Sequence, residues 1–252
     1  MILEYMKGGD FNSWINNNHK KFNWNHKITT LSNVLYGLKE IHQKNLVHRD
    51  FHTGNILVKF IGFPCIADMG LCGEIGNKDE TKIYGVMPYM APEVLRGKPY
   101  TQAADVYSFG MIMYFTATGK QPFVNCAHDY RLVLDICNGI RPETNEPEVP
   151  KCYIDLMKRC WNANPDNRPN ATEVHELIES FYNFYNSYKK DGSFAIEIKE
   201  QFKEAENHRK FHYSSKNKQH PQAIYTSRLL NPFTNNLPKY DNSECLSCAI
   251  ID

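Results

Sequence analysis

Apolar positions recur at helical spacing through most of the chain. Leu31, Val34, Leu35, Leu38 and His42 fall on one helix face. Val106, Phe109, Gly110 and Met113 do so in a second segment, and Val174, Leu177, Ile178 and Phe181 in a third. Asn170 is placed to cap that third helix, with Glu173 where a capping-box acid belongs. Strand patterns are few and short: Ile56-Leu57-Val58 and Cys65-Ile66-Ala67, joined by a turn near Gly62. After Ser187 the chain becomes polar, rich in Lys, Asn, His and Ser. The pattern predicts a mainly α (α+β) domain over residues 1–186, with a small two-stranded ribbon beside a polar loop. A polar tail over 187–252, partly helical or disordered, follows. Within that tail residues 195–212 suit one amphipathic helix, with Ile198, Phe202 and Ala205 on one side, and the rest reads as loop or disorder.

Composition narrows the class. A hydrophobic content of 42% over 252 residues is enough to bury a core. A net charge of +1 gives no bulk attraction to nucleic acid or an anionic membrane. The 8 cysteines are scattered, mostly within apolar patterns, as expected of reduced intracellular thiols. Cys245 and Cys248 alone form a C-x-x-C pair, too few for a zinc site. Glu4 interrupts any signal-peptide core, no apolar run is long enough to span a bilayer, and Cys248 lies one position too far from the end for prenylation. The expectation is a cytoplasmic protein.

The chemistry concentrates in His48-Arg49-Asp50-Phe51-His52-Thr53-Gly54-Asn55 and, beyond the ribbon, Asp68-Met69-Gly70. Phosphoryl transfer needs hard cations held by oxygen and an acceptor hydroxyl held in line. Asn55 and Asp68 are oxygen ligands suited to Mg²⁺, and Asp50 can orient a hydroxyl and take its proton. A ribbon between the two loops would hold them side by side.

These residues resemble the protein-kinase family. His-Arg-Asp followed by Asn55 is similar to its catalytic loop, and Asp68-Met69-Gly70 to its Asp-Phe-Gly metal motif. Tyr89-Met90-Ala91-Pro92-Glu93 resembles the end of the activation segment, and the run from Asp105 to Gly110 the central buried helix. Cys160-Trp161 with Arg168-Pro169 resembles a late structural motif. Leu3 to Met6, with Gly8-Gly9-Asp10, resembles the hinge and the helix after it. The resemblance runs from Met1 to about Tyr185 and is nearest the tyrosine-kinase-like group. It implies ATP and Mg²⁺ as cofactors and a protein Ser or Thr hydroxyl, less readily Tyr, as acceptor. It implies Asp50, Asn55 and Asp68 as catalytic residues, Asn55 and Asp68 as metal ligands, and Glu4, Met6, Asn55, Leu57 and Asp68 as the nucleotide's contacts. His48, Glu93, Asp105 and Arg168 are implied as support, Glu93 and Arg168 as an ion pair. Arg49 would receive a phosphorylated activation segment, with Thr81 and Tyr84 as candidate phosphosites.

The sequence departs from the family in several places. The Gly-rich loop, strand lysine and helix glutamate that grip the phosphates belong upstream of the hinge, where only Met1 to Leu3 lie. The expectation is a fragment or truncated gene model without the small lobe, binding ATP weakly and exposing an apolar cleft floor. Histidine stands at 52, where Ser/Thr kinases usually carry a lysine that offsets phosphoryl charge. Val86 stands where a threonine hydroxyl commonly contacts the catalytic Asp. These departures motivate a non-catalytic scaffold as the alternative. A small-molecule kinase shares the His-x-Asp loop but lacks Ala91-Pro92-Glu93 and the helix from Asp105.

Overall fold

A computed structural model describes residues 6–18, 21–59, 63–74, 82–144, 147–186, 192–211, 219–235 and 237. Its long helices are α1 (Phe11–Asn18), α2 (Trp24–Gln43), α4 (Gln102–Thr118), α5 (Tyr130–Cys137), α6 (Lys151–Cys160), α7 (Ala171–Asn186) and α8 (Gly192–Phe211). Two single turns, α3 (Pro92–Leu95) and α9 (Asn231–Thr234), complete the α-helices among these residues, and four short 3-10 turns lie between them. Strands are minimal and antiparallel. β1 (Leu46–Val47) pairs with β4 (Gly73–Glu74), β2 (Ile56–Val58) with β3 (Pro64–Ile66), and β5 (Tyr84–Gly85) with β6 (Arg228–Leu229).

Helix starts follow local chemistry. Asn23 caps α2 by accepting from His26 N, and Asp10 caps α1 by accepting from Ser13 N at 3.0 Å. Asn170 caps α7, accepting from Glu173 N at 2.9 Å. The Glu173 carboxylate does not close the capping box. It turns to Arg159 on α6, because an ion pair between neighbouring helices competes for the same side chain.

The face of α2 carrying Leu31, Val34, Leu35, Leu38 and His42 is buried, and it lies along α7, whose Val174, Ile178 and Phe181 face the core. The segment around Val106 departs from the expected single face. Residues 104–117 of α4 are buried without a break. This helix is enclosed on every side, with α2, α6 and the turn at Met87–Tyr89 among its neighbours, so it needs no polar stripe. The second ribbon strand runs over Pro64–Ile66, one residue earlier than the pattern places it, and registers Leu57 opposite Cys65. The turn near Gly62 lies outside the described residues.

The helix expected at 195–212 is α8. Ile198, Phe202 and Ala205 are buried, and Phe202 meets Trp24, Phe181 and Tyr185 at ring distances of 5.4 to 5.8 Å. Glu206 accepts from Trp24 N at 3.1 Å while paired with Arg209. Residues 219–235, where the sequence reads as loop or disorder, carry β6 and α9 packed against the body, and Leu230 is wholly buried. Among the described residues no helix is long and apolar enough to cross a membrane.

Lys27 is buried beside the Trp24 ring and donates to Ala117 O at the end of α4, at 2.6 Å. Burial pushes its pKa down to about 8. The folded chain therefore binds fewer protons at Lys27 than the unfolded chain between about pH 8 and 10.5, and stability from this group rises with pH there. Urea denaturation at pH 7.5 and 10 should show wild type gaining on Lys27→Met as pH rises. Phe202→Ala should destabilise by about 3–5 kcal/mol in the same assay, as for a large aromatic in a packed core. A loss within error would mean that α8 is not part of that core.

Candidate active site

The polar loop after β1 hangs on one buried carboxylate. Asp105, in the first turn of α4, accepts from His48 N at 2.8 Å and Arg49 N at 3.1 Å. Its Oδ2 also meets His42 Nε2 of α2 at 2.9 Å. Arg49 itself has φ 72°, a left-handed conformation rare outside glycine, and the Asp105 contact holds it there. His48 is fully buried, its Nε2 against Ala67 O at 3.1 Å. It braces the loop against the segment that ends in Asp68.

Asp50 is buried where this strained turn ends. Asn55 Nδ2 donates to Asp50 O at 2.9 Å. His52 Nε2 lies 3.6 Å from Asp50 Oδ1, and both atoms are buried. The ring's other nitrogen, Nδ1, accepts from Gly54 N at 3.0 Å, so a neutral His52 carries its proton on Nε2, facing the carboxylate. Gly54 permits this approach, since a Cβ there would stand 2.7 Å from the ring. Burial pushes the Asp50 pKa up, but the His52 side chain outweighs it, with help from the Ser227 hydroxyl and His48. The net shift is below the ordinary carboxylate value. Asp50 is thus an ionised acceptor. His52 is turned inward to it rather than outward to an incoming phosphoryl group.

Asn55 and Asp68 come together through one backbone bond, Ala67 N to Asn55 O at 2.8 Å, which closes the mouth of the β2–β3 ribbon. Asp68 is exposed, held at φ 58° with its Oδ1 toward Gly70 N at 3.4 Å. The Asn55 amide nitrogen is committed to Asp50 O, which leaves its Oδ1 as an oxygen ligand. One carboxylate and one amide oxygen, with phosphate oxygens and water completing the shell, fit Mg²⁺. Among the described residues no three His, Cys, Asp or Glu cluster as a soft-metal site would require.

The buried carboxylate under a strained loop, the ribbon, and the acid at its far end are accompanied by a match along the chain. The family model for protein tyrosine and serine/threonine kinase covers residues 1–178. The chain belongs to the protein kinase family. It is 35% identical over 71% of its length to a serine/threonine-protein kinase/receptor, so named, of Acanthamoeba polyphaga mimivirus. It is 28% identical over 71% to a serine/threonine-protein kinase of Arabidopsis thaliana, and 31% identical over 59% to receptor-interacting serine/threonine-protein kinase 1 of Homo sapiens. The chain spans 11%, 31% and 25% of those relatives' own lengths. The fold is that of the kinase large lobe.

Other expected kinase positions are placed as follows. Gly8 and Gly9 pair with Val58 through bonds of 2.9 Å, and Asp10 bridges Leu57, so the start of the described chain lies along the ribbon. Met6 and Leu57 are half-buried there, and Glu4 lies outside the described residues. Met69 and Leu71 are exposed beside Asp68. The Arg49 guanidinium donates to Glu74 O at 3.0 Å and presses on Gly73, so it is engaged by β4. Tyr84 is partly exposed in β5, and Thr81 lies outside the described residues. Val86 is buried, with no hydroxyl to offer Asp50.

Glu93 and Arg168 form a buried bidentate pair at 2.6 and 2.8 Å, over the Tyr107 ring. Sequence reading missed a second brace: Tyr89 OH meets Thr53 Oγ1 at 3.2 Å and donates to Gln121 Oε1 at 2.6 Å, joining the catalytic-loop region to the activation segment. Burial raises the Tyr89 pKa far above its usual value. It missed Ser227 too, since nothing in the polar tail marks one serine. Glu93→Ala should leave Arg168 buried and unpaired and cost about 3–5 kcal/mol in chemical denaturation. A cost below about 1 kcal/mol would place the pair among surface-like bridges.

Proposed function

We propose that this chain is the catalytic-loop half of a protein kinase that transfers the ATP γ-phosphate to a protein Ser or Thr hydroxyl, less readily Tyr. The observation that carries the reading is the joint arrangement of Asp50, Asn55 and Asp68. Asn55 holds the Asp50 backbone with its nitrogen, and Ala67 N reaches back to Asn55 O to set Asp68 beside it. The lowered pKa of Asp50 keeps it a carboxylate, able to accept the acceptor hydroxyl's hydrogen bond and then its proton. Asn55 and Asp68 would hold Mg²⁺, which supplies neutralisation of phosphate charge when bound. His52 keeps the Asp50 carboxylate in place, a positioning role. Asp105 fixes the loop backbone through His48 N and Arg49 N. Met6 and Leu57, with Glu4, would contact the nucleotide base. Arg49 and the phosphosite candidates Thr81 and Tyr84 would act in regulating the activation segment.

The kinase is a signalling enzyme of the cytoplasm in this reading, with a protein as substrate and neither nucleic acid nor membrane as partner. The non-catalytic scaffold has one specific observation in its favour, the buried Val86. Asp50→Asn and Asp68→Asn in the full-length protein should each lower phosphate transfer to added casein at least about 100-fold, with the melting curve kept. Transfer that survives both changes would exclude this mechanism. A wild-type protein that neither binds Mg-ATP nor labels casein would favour the scaffold.

A further inference from the structure

The segment 219–235 is pinned on both sides of Ser227, to residues 122–128 and to β5. Ahead of Ser227, Gln222 O accepts from His128 N at 3.1 Å, and Tyr225 OH donates to Pro122 O at 2.8 Å. The Tyr225 ring stands edge-on to His128 at 4.8 Å. Beyond Ser227, Arg228 pairs with Gly85 and Leu229 with Tyr84 in an antiparallel ladder. Leu230 N donates to Ile83 O and Ile83 N to Asn231 Oδ1, both at 2.8 Å, while Arg228 Nη2 donates to His128 O at 2.6 Å. The wholly buried Leu230 locks the register.

Main-chain pairing with side-chain pockets is how an extended peptide docks on a strand edge. Here the docked peptide is the chain's own, and its fixed register brings one particular hydroxyl to the loop. Ser227 is exposed between the Tyr225 anchor and the β5–β6 ladder, and its hydroxyl is among the groups that lower the Asp50 pKa. A hydroxyl held near the Asp50 side chain by a strand on one flank and a tyrosine anchor on the other needs less of the orientation that a bimolecular encounter would have to find.

We propose that Ser227 is a phosphoacceptor which the chain presents to its own catalytic loop, making residues 219–235 a tethered substrate. This rests on the kinase reading above. Ser227 Oγ attacks the γ-phosphorus of a nucleoside triphosphate. The Oγ–P bond forms as the bond from that phosphorus to the β,γ-bridging oxygen breaks, the nucleoside diphosphate leaves with the electron pair, and the hydroxyl proton passes to Asp50. The product phosphate then faces the Asp50 carboxylate, and like-charge repulsion loosens the segment. Until then it obstructs other substrates.

The test is phosphosite mapping on the full-length protein with Mg-ATP, with casein added in parallel. Ser227 should be the main site, with a fractional rate unchanged over a 100-fold dilution. Ser227→Ala should cut self-labelling at least about tenfold and keep its melting curve, since the side chain is exposed, while Thr226→Ala should label normally. Leu230→Asp, checked for fold by melting, should undock the segment, lowering Ser227 labelling and raising the rate on casein. Casein labelled while Ser227 is not, or a Ser227 rate that falls with dilution, would overturn the proposal and leave the kinase reading standing. Labelling of neither would fail the kinase reading, and the proposal with it.

Discussion

Two backbone N–H groups and one imidazole converge on the carboxylate of Asp105, and the site exists because they do. The loop after β1 makes a left-handed turn at Arg49 that its own side chains would not select. A buried carboxylate accepting charge-assisted hydrogen bonds makes the turn preferable to its relaxed alternatives. Asp105 can do this because α4 is enclosed by other elements, so the acid is delivered from a buried helix rather than from a surface loop.

The other polar contacts extend that frame outward. His48 ties the loop to Ala67, and Ala67 N ties the far side of the ribbon to Asn55, so the metal-ligand candidates share one small closed circuit. On the opposite side Glu93–Arg168 and Tyr89–Thr53 fix the activation segment to the same body. His52 acts within the circuit. With Nδ1 fixed by Gly54 N, the proton of a neutral ring faces Asp50, so the imidazole lies against that carboxylate.

The two parts of the chain beyond α7 behave differently although both are polar. α8 buries Phe202 and, one turn on, Glu206 against Trp24 and completes the core there. Residues 219–235 bury Ala223 and Leu230 and pack Tyr225 and Phe233 against the core. Backbone pairing to β5 and contacts to His128 hold the segment as well. Burial lowers the His128 pKa, and the neutral ring serves as a hub for Ile224 and Phe123.

The sequence by itself determined the helix faces of α2 and α7, the ribbon, the amphipathic α8, and the identity of the loop residues with their motif order. These are local signals: periodicity, a capping asparagine, short fixed spacings. What lay beyond reach was everything decided between distant segments. The all-round burial of α4 depends on how many neighbours surround it, which no single-helix pattern encodes. The diversion of Glu173 to Arg159, the inward turn of His52, and the Tyr89–Thr53–Gln121 brace depend on which polar partner stands nearest once the chain is folded. Most of all, nothing in the local sequence distinguishes Ser227 from the other tail serines. Its place beside Asp50 is set by the register of a two-residue strand pair and by where Leu230 is buried.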